Sequence, residues 1–226
     1  MKTVAFIPIK LNNERLPGKN IKRFDNGEPL LTYILKTALR VSAFSDVYVY
    51  CSSEQVLEYF PQGVKFLKRP LSLDASSTSI TEVIVSFTET ISADIYTLLH
   101  ATSPFITVKS IEAGLHAVLD GVHDSALAVY RHNDFLWRGG APENYDVHNI
   151  PRTQDLEPFY TETSGFYIFI QALAAKRRRV GDSPFLVEVS KIEAVDIDES
   201  IDFDIANAIL NHILLRGYKD YEHYIT

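Results

Sequence analysis

Near its N-terminus the chain reads TVAFIPI over Thr3–Ile9 and KLNNERLPGKN over residues 10–20. The first stretch is almost continuously apolar, which is typical of a strand buried on both faces of a parallel sheet. The second is polar and contains a proline and a glycine, so it predicts a loop where that strand ends. Residues 29–43 then place apolar side chains at i, i+3 and i+4, which predicts an amphipathic helix. A buried strand, a loop and a helix in that order predict an α/β fold.

The alternation of strand and helix continues along the chain. We predict further strands at 46–51, 64–67, 94–99, 125–129, 163–170 and 185–189, and further helices at 53–60, 78–90, 107–119 and 202–215, the last ending near Gly217. This order predicts a single Rossmann-like domain over residues 1–226, with three layers and a mainly parallel central sheet. Because ligands bind at the carboxyl ends of the strands in such sheets, we expect the functional residues there.

Composition and charge narrow the class of protein. Of the 226 residues, 46% are hydrophobic, and 29 acidic against 22 basic residues give a formal net charge of −7. A general nucleic-acid binder usually has a basic excess, so nucleic acid is not an expected partner. The single cysteine excludes an internal disulfide and fits a cytoplasmic location. The apolar N-terminal run is too short for a signal peptide, and no window approaches the roughly 20 apolar residues of a membrane span, so we expect no membrane partner.

The loop of residues 10–20 carries side chains that suit a polyphosphate. It contains three cations and three amides, namely Lys10, Arg15, Lys19, Asn12, Asn13 and Asn20. Cations and backbone N–H groups held by a loop at a strand end can neutralise a triphosphate. The loop matches neither the Walker A motif GxxxxGK[ST] nor GxGxxG. On composition alone, a solvated surface turn explains it equally well.

Two aspartates late in the chain, Asp196 and Asp198, are separated by one apolar residue. In an extended backbone both side chains point to one face, where two carboxylates can hold one Mg²⁺ directly or through water. Alternatively, acidic residues here stabilise the N-terminal end of the following helix, a role that suits Glu199, Asp202 and Asp204. Spacing alone leaves both interpretations open.

Five blocks of sequence carry a family resemblance. They are IPIKLNNERLPGKN at 7–20, KRPLSLDASSTS at 68–79, LLHATSPF at 98–105, SGFYIF at 164–169 and DIDESIDF at 196–203. In content and order this series resembles the acylneuraminate cytidylyltransferases, which activate sialic and related acid sugars as CMP derivatives. The opening block is similar to the family signature I-P-A-R-x-G-S-K-x-x-P-x-K-N, with matches at Ile7, Pro8, Pro17, Lys19 and Asn20.

The resemblance implies a CTP-dependent nucleotidyltransferase. The anomeric hydroxyl of a 2-keto-3-deoxy acid sugar would attack the α-phosphorus of CTP, with Mg²⁺ as cofactor and pyrophosphate as leaving group. It implies catalytic roles for Lys10, Lys19 and Asp198, and metal binding by Asp196 and Asp198. The implied nucleotide-binding residues are Leu11, Asn12, Asn13, Arg15, Lys19, Asn20, Arg69, Ser77 and Ser79. The chain departs from the family where Lys10 replaces an arginine and Glu14 a lysine.

The residues implied at the acceptor sugar depart further from the family pattern. They are His100, Ser103, Arg152 and Ser164. His100 replaces a glutamine and Ser164 an asparagine, whereas Arg152 is retained as a candidate partner of the sugar carboxylate. For His100, a hydrogen bond to backbone at the strand end is an equal alternative. These departures suggest an acid sugar other than N-acetylneuraminate.

Two other segments allow competing interpretations. Residues 132–162 lack periodicity, which predicts a segment without regular structure, and their aromatic side chains suit a sugar-stacking platform. The resemblance instead implies that residues 133–160 form an arm that packs on a second subunit of a homodimer. The basic tract KRRR at 176–179 suits nucleic acid, but it ends a short predicted helix before Gly181, where cations complement the helix dipole. We expect a dimer interface and a solvated helix end, respectively.

Two other functions are compatible with the same residues. A nucleotide-sugar glycosyltransferase would use Asp196-Ile197-Asp198 as its metal motif, although the lysine-bearing loop and the lack of a second acceptor domain argue against it. A non-catalytic nucleotide-binding protein of the same fold would follow from loss of the family arginine at position 10.

Overall fold

The computed structural model describes residues 1–216, with side chains through Ile213. The strands and α-helices of this part are β1 (Thr3–Ile9), α1 (Leu30–Arg40), β2 (Asp46–Cys51), β3 (Val64–Lys68), α2 (Ile80–Thr90), β4 (Ile95–Leu99), α3 (Val108–Leu119), β5 (Ser125–His132), β6 (Trp137–Arg138), β7 (Ala141–Pro142), β8 (Phe159–Ile170), α4 (Gln171–Ala175), β9 (Pro184–Glu188) and α5 (Ser200–Arg216). The predicted strand and helix alternation is confirmed, except that the helix predicted at 53–60 is a 3₁₀ helix over Glu54–Tyr59. Gly217, where we expected the last helix to end, lies outside the described residues.

The central sheet has seven strands in the order β3-β2-β1-β4-β8-β5-β9. Every neighbouring pair is parallel except those of β8, which runs antiparallel to β4 and β5. Leu99 at the end of β4 pairs with Phe166 in the middle of β8. The first half of β8 therefore lies at the same sheet edge as the carboxyl ends of β1, β2 and β4, where ligands bind in folds of this kind.

Helices cover both faces of the sheet because its central strands are apolar on both sides. Ile7 of β1 packs in one buried cluster with Ile34 of α1. On the other face, Phe6 stacks on Phe87 of α2 with ring centroids 4.2 Å apart. Cys51 at the end of β2 is fully buried in the first cluster. The expected three-layer α/β architecture is confirmed.

The prediction that residues 132–162 lack regular structure is wrong at both ends. β5 continues through His132, and β8 begins at Phe159, because these two segments pair with each other. Between them, β6 and β7 form a separate two-stranded sheet whose turn residues, Gly139 and Gly140, have positive φ angles of 59° and 86°. Many residues at the end of β5 and the start of β8 are exposed. Their sequence therefore lacks the apolar alternation that identifies a half-buried strand.

Helix α1 is shorter than predicted. It ends at Arg40, and the buried Val41 is already extended, with its N–H bonded to the carbonyl of Ala38. No helix in the described part of the chain is long and apolar enough to cross a membrane.

Candidate functional site

The loop after β1 folds back on itself. Gly18 adopts a left-handed conformation (φ 66°), which only glycine adopts without strain, and a 3₁₀ turn follows at Lys19–Ile21. The buried amide of Asn20 donates to the carbonyl of Lys10 at 3.0 Å. These contacts hold Lys19 beneath the loop, where only 11% of its side chain is exposed. The inner part of the loop therefore has a defined conformation, whereas Asn12, Glu14 and Arg15 on its outer part are exposed to solvent.

The cations of this loop contact residues 196–198, which we call the acidic segment. Lys19 Nζ donates to the carbonyl of Ile197 at 2.8 Å and to Asp198 Oδ1 at 3.0 Å. Arg15 Nη2 lies 2.9 Å from the same carboxylate oxygen. Partial burial works to raise the pKa of Asp198, but the hydrogen bond and charge of Lys19, together with Arg15, lower it overall. Residues from opposite ends of the sequence thus form one site.

A cavity of about 200 Å³ opens at this junction. Its lining combines four cationic or amide groups with two acids, one serine and one leucine: Lys10, Asn13, Arg15, Lys19, Glu14, Asp198, Ser76 and Leu16. Lys10 has no ion-pair partner among the residues with described side chains. An excess of cations over acids in a small polar cavity favours an anionic ligand. Glu14, however, brings a negative charge to the same lining.

The acidic segment is held by the residue between its aspartates. Ile197 is fully buried, and its N–H donates to the carbonyl of Thr102 at 2.8 Å. Asp202 accepts from the backbone N–H groups of Asp198 and Glu199, so it caps α5. The helix-capping role therefore belongs to Asp202, and the carboxylates of Asp196 and Asp198 are not needed for it.

The oxygen donors of this segment fit a magnesium ion. Asp196 Oδ1 is buried and has no hydrogen-bond partner in the described structure. Within residues 1–216 no group of three or more metal-binding side chains occurs. Mg²⁺ commonly binds one or two carboxylates and completes its shell with phosphate oxygens and water. Asp196 and Asp198 therefore suit a Mg²⁺ ion that a phosphate ligand shares.

Asp74 ties the loop after β3 to the loop after β1. Its backbone carbonyl accepts from the amide of Asn12 at 3.2 Å, and its carboxylate accepts from Ser52 Oγ at 2.5 Å and from Arg69. Arg69 is only 4% exposed, and its Nε has no partner in the described part of the chain. Arg69 is a buried ion-pair partner, and not the exposed strand-end charge that would have been the alternative to nucleotide contact.

The serines predicted to bind the nucleotide differ in their surroundings. Ser79 is the N-cap of α2 and forms a reciprocal capping box with Glu82, so its hydroxyl is engaged in the helix. Ser77 is exposed, and its neighbour Ser76 lines the cavity. Leu11 is partly buried against the core. Contact of any of these residues with a nucleotide stays a prediction.

His100 lies where β4 ends. Its ring centroid is 6.3 Å from that of Tyr167 on β8, and its Nε2 is buried without a hydrogen-bond partner in the described structure. Burial lowers the pKa of His100 to about 4, against the charge of Asp196, which raises it; Arg179 and Lys19 add to the lowering. His100 is therefore neutral near pH 7. The alternative was a strand-end histidine whose ring hydrogen-bonds to the backbone, and Nε2 makes no such bond in the described structure.

Two other predicted acceptor residues lie at the same edge. The pairing of β5 with β8 shifts between Leu127 and Val129, which places a bulge around Ser164. Bulges of this kind redirect side chains near binding sites. A Cβ at Gly165 would lie 2.4 Å from Ile106 Cδ1, so a larger residue here would require the Ile106 side chain to shift. Ser103 is 1% exposed, and its N–H donates to the carbonyl of His100.

Arg152, the remaining residue predicted for the acceptor, forms an ion pair within its own segment. It lies between β7 and β8, is largely exposed, and does not line the cavity. Its Nε and Nη2 donate to the two carboxylate oxygens of Asp155 at 2.7 and 3.0 Å. These hydrogen bonds raise the pKa of Arg152. Its bidentate donors are already used within the chain.

Sequence reasoning missed three residues near the site. Ser76 is adjacent to the serine that we chose, and spacing gives no way to rank such neighbours. Tyr167 and Arg179 contact each other beside His100. Arg179 belongs to the basic tract that we interpreted as a solvated helix end. Its neighbour Arg178 pairs with Asp182, and only the tertiary fold gives the two arginines different partners.

The chain matches a family model described as "Cytidylyltransferase" over residues 4–174. It is 26% identical over 224 residues to N-acylneuraminate cytidylyltransferase A of Danio rerio, covering 95% of this chain and 51% of that protein. It is 25% identical over 232 residues to CMP-N,N'-diacetyllegionaminic acid synthase of Legionella pneumophila, covering 93% of this chain and 97% of that protein. The chain thus spans about half the length of the zebrafish relative and nearly all of the Legionella one.

The fold is also that of a solved structure with a nucleotide bound. The CMP:2-keto-3-deoxy-manno-octonic acid synthetase complexed with CTP superposes with a TM-score of 0.71 at 18% identity, over 94% of this chain and 99% of that chain. At this identity the likeness establishes the fold alone.

Proposed function

The chain belongs to the cytidylyltransferase family, and we propose that it transfers CMP from CTP to the anomeric hydroxyl of a 2-keto-3-deoxy acid sugar, releasing pyrophosphate. The observation that carries the proposal is the contact of Lys19 and Arg15 with Asp198 in one cationic cavity. The choice of acceptor class rests on the relatives, which are named for acylneuraminate and legionaminic acid. Family membership favours cytidyl transfer over a glycosyltransferase.

The loop after β1 neutralises the triphosphate in this proposal. Phosphoryl-type transfer depends mainly on positioning and charge neutralisation. Lys10 has no ion-pair partner among the described side chains, so it can bind the phosphates without first breaking an ion pair. Lys19 and Arg15 reach them by leaving Asp198, so the entering ligand replaces one anionic partner by another.

Asp196 and Asp198 are the residues that would hold Mg²⁺. When bound, the ion supplies charge neutralisation at the phosphate oxygens and lowers the pKa of a hydroxyl that binds it. The acceptor sugar would lie toward His100 and Ser164, at the edge formed by β4 and β8. There the neutral imidazole of His100 hydrogen-bonds a sugar hydroxyl through Nε2.

The segment of residues 133–160, which we call the arm, is proposed as a homodimer contact. It exposes several large apolar side chains, including Phe135, Trp137, Val147, Ile150 and Tyr160. Exposed apolar groups that cluster in one segment are typical of interaction surfaces. Sedimentation of the wild-type chain and of Trp137→Ser would test this, since loss of the contact shifts the protein to monomer.

A pyrophosphate-release assay tests the proposed reaction. The purified chain with Mg²⁺ is incubated with CTP and a panel of acid sugars: N-acetylneuraminate, legionaminate, pseudaminate and 3-deoxy-manno-octulosonate. We expect release that requires both substrates, and none with UTP or ATP. Tight CTP binding by calorimetry without release from any acid sugar would instead identify a non-catalytic nucleotide-binding protein. Sugar transfer from a preformed nucleotide sugar would identify a glycosyltransferase.

A further inference from the structure

A second charged cluster lies beside His100 and plays no part in the nucleotide site. Tyr167 on β8 is 3% exposed, and its ring meets that of His100 edge to face. The guanidinium carbon of Arg179 lies 3.8 Å above the centre of the Tyr167 ring. A stacked guanidinium keeps its plane and direction, because the ring contact restricts its rotamers.

Most hydrogen-bond donors of Arg179 are unused. Of the five N–H donors in a guanidinium, only Nη2 makes a hydrogen bond in the described structure, to Glu162 Oε2 at the long distance of 3.4 Å. The same oxygen accepts the hydroxyl of Tyr167 at 2.8 Å. The Arg179 side chain is 30% exposed. It is therefore held in place while its planar fork remains available to a ligand.

The cluster lies within electrostatic range of Asp196 in the acidic segment. Burial lowers the pKa of His100, and the charge of Arg179 adds to that effect while Asp196 opposes it. Asp196 also acts on Tyr167, whose pKa is raised chiefly by burial and by its bond to Glu162. His100 Nε2 and Asp196 Oδ1 are both buried polar atoms without partners in the described chain. Arg179 thus lies close enough to His100 for its charge to act on the imidazole.

We propose that Arg179, positioned by Tyr167, binds the carboxylate of the acceptor substrate. This inference rests on the proposed function, because it assumes that an acid binds at this edge of the sheet. A guanidinium binds a carboxylate through two parallel N–H bonds. The arginine we expected for this task, Arg152, already makes such a pair with Asp155. The loop cations lie at the phosphate side, whereas Arg179 contacts Tyr167 beside His100, the predicted acceptor residue.

The test compares each acid sugar with its methyl ester, which keeps the shape and loses the charge. Binding to the full chain is measured by calorimetry without CTP, and pyrophosphate release is measured separately. Arg179→Gln is compared with Arg178→Gln, a matched control whose arginine pairs with Asp182 at the surface. Arg179→Lys tests the need for the planar fork.

We expect wild type and Arg178→Gln to prefer the acid over its ester by at least about tenfold. Arg179→Gln should remove this preference and raise KM for the acid about tenfold or more, with KM for CTP within about twofold of wild type. Arg179→Lys should restore only part of it.

An unchanged acid-to-ester ratio in Arg179→Gln, or no carboxylate preference in wild type, would overturn the inference. Failure of the proposed function has a different signature. In that case no acid sugar gives pyrophosphate, while the binding comparison still reports on Arg179.

Discussion

The loop after β1 and the first half of β8 approach the same edge of the sheet, yet they prepare it differently. In the loop, two cations already have an anionic partner within the chain, because Lys19 and Arg15 share one oxygen of Asp198. Beside β8, in contrast, His100 Nε2 and Asp196 Oδ1 are buried without partners in the described chain. The loop side can exchange one anion for another, whereas the β8 side holds two buried polar atoms that have no partner within the described chain. A charged nucleotide suits the first and a hydroxyl-rich sugar suits the second.

The largest effect on turnover is expected from substitution of Asp198, which both loop cations contact. Asp198→Asn keeps the shape but loses the charge that Lys19 and Arg15 share, so we expect Mg²⁺-dependent turnover to fall by at least about 10³-fold. The measurement is pyrophosphate release at varied Mg²⁺, with circular dichroism to check the fold. Glu199→Gln is the control, because this exposed neighbour lies outside the cavity. Turnover of Asp198→Asn at the wild-type rate would remove Asp198 from the site.

Loss of the buried cation tests the loop side alone. Lys19→Ala should cost at least about 2 kcal/mol of transition-state stabilisation, measured as kcat/KM for CTP. Arg15→Ala should cost less, since its side chain is 61% exposed and exposed ion pairs contribute little. Equal effects of the two substitutions would contradict the view that burial gives Lys19 its importance.

Packing of the bulge tests the β8 side. Gly165→Ala should lower the free energy of unfolding by about 2 kcal/mol, because the added methyl group meets Ile106 in a filled core. Urea denaturation measures the loss. Adding Ile106→Val removes the clashing methyl, so the double variant should recover part of the stability. Additive losses in the double variant would show that the clash is not the cause.

The smallest effect is a pH dependence that arises from His100. Its folded pKa of about 4 lies below the usual value of 6.5, so on acidification the unfolded chain takes up a proton first. Stability from this group is complete above pH 6.5 and declines as the pH falls toward 4, by about 1–2 kcal/mol at pH 5. Denaturation of wild type and His100→Gln at pH 7 and pH 5 measures it. An equally steep pH dependence in the variant would assign the effect to other groups.

Sequence alone gave most of the loop side, because its signals are local. The apolar run Thr3–Ile9, the proline and glycine of the loop and the spacing of Asp196 and Asp198 each indicate their structure over a few residues. The β8 side depends on contacts between distant segments. The antiparallel direction of β8 places Tyr167 beside His100, and no periodic pattern reports strand direction.

The basic tract shows the same limit at the scale of single residues. Arg178 and Arg179 are adjacent and chemically identical, yet one pairs with Asp182 at the surface and the other stacks on Tyr167. A turn in which Arg177 has a positive φ of 60° separates them from α4. The compositional argument for a solvated helix end holds for Arg178 and is wrong for Arg179.

The buried Cys51 has a practical consequence for experiments on this chain. It is the sole cysteine, it is fully enclosed, and burial raises the pKa of its thiol. Thiol reagents act on the thiolate, so the folded protein offers them almost no reaction. A cysteine introduced at Val147 in the arm would therefore take up a spin label selectively. Dipolar spectroscopy between such labels can then measure directly whether two copies meet through that segment, with no need to remove a native cysteine first.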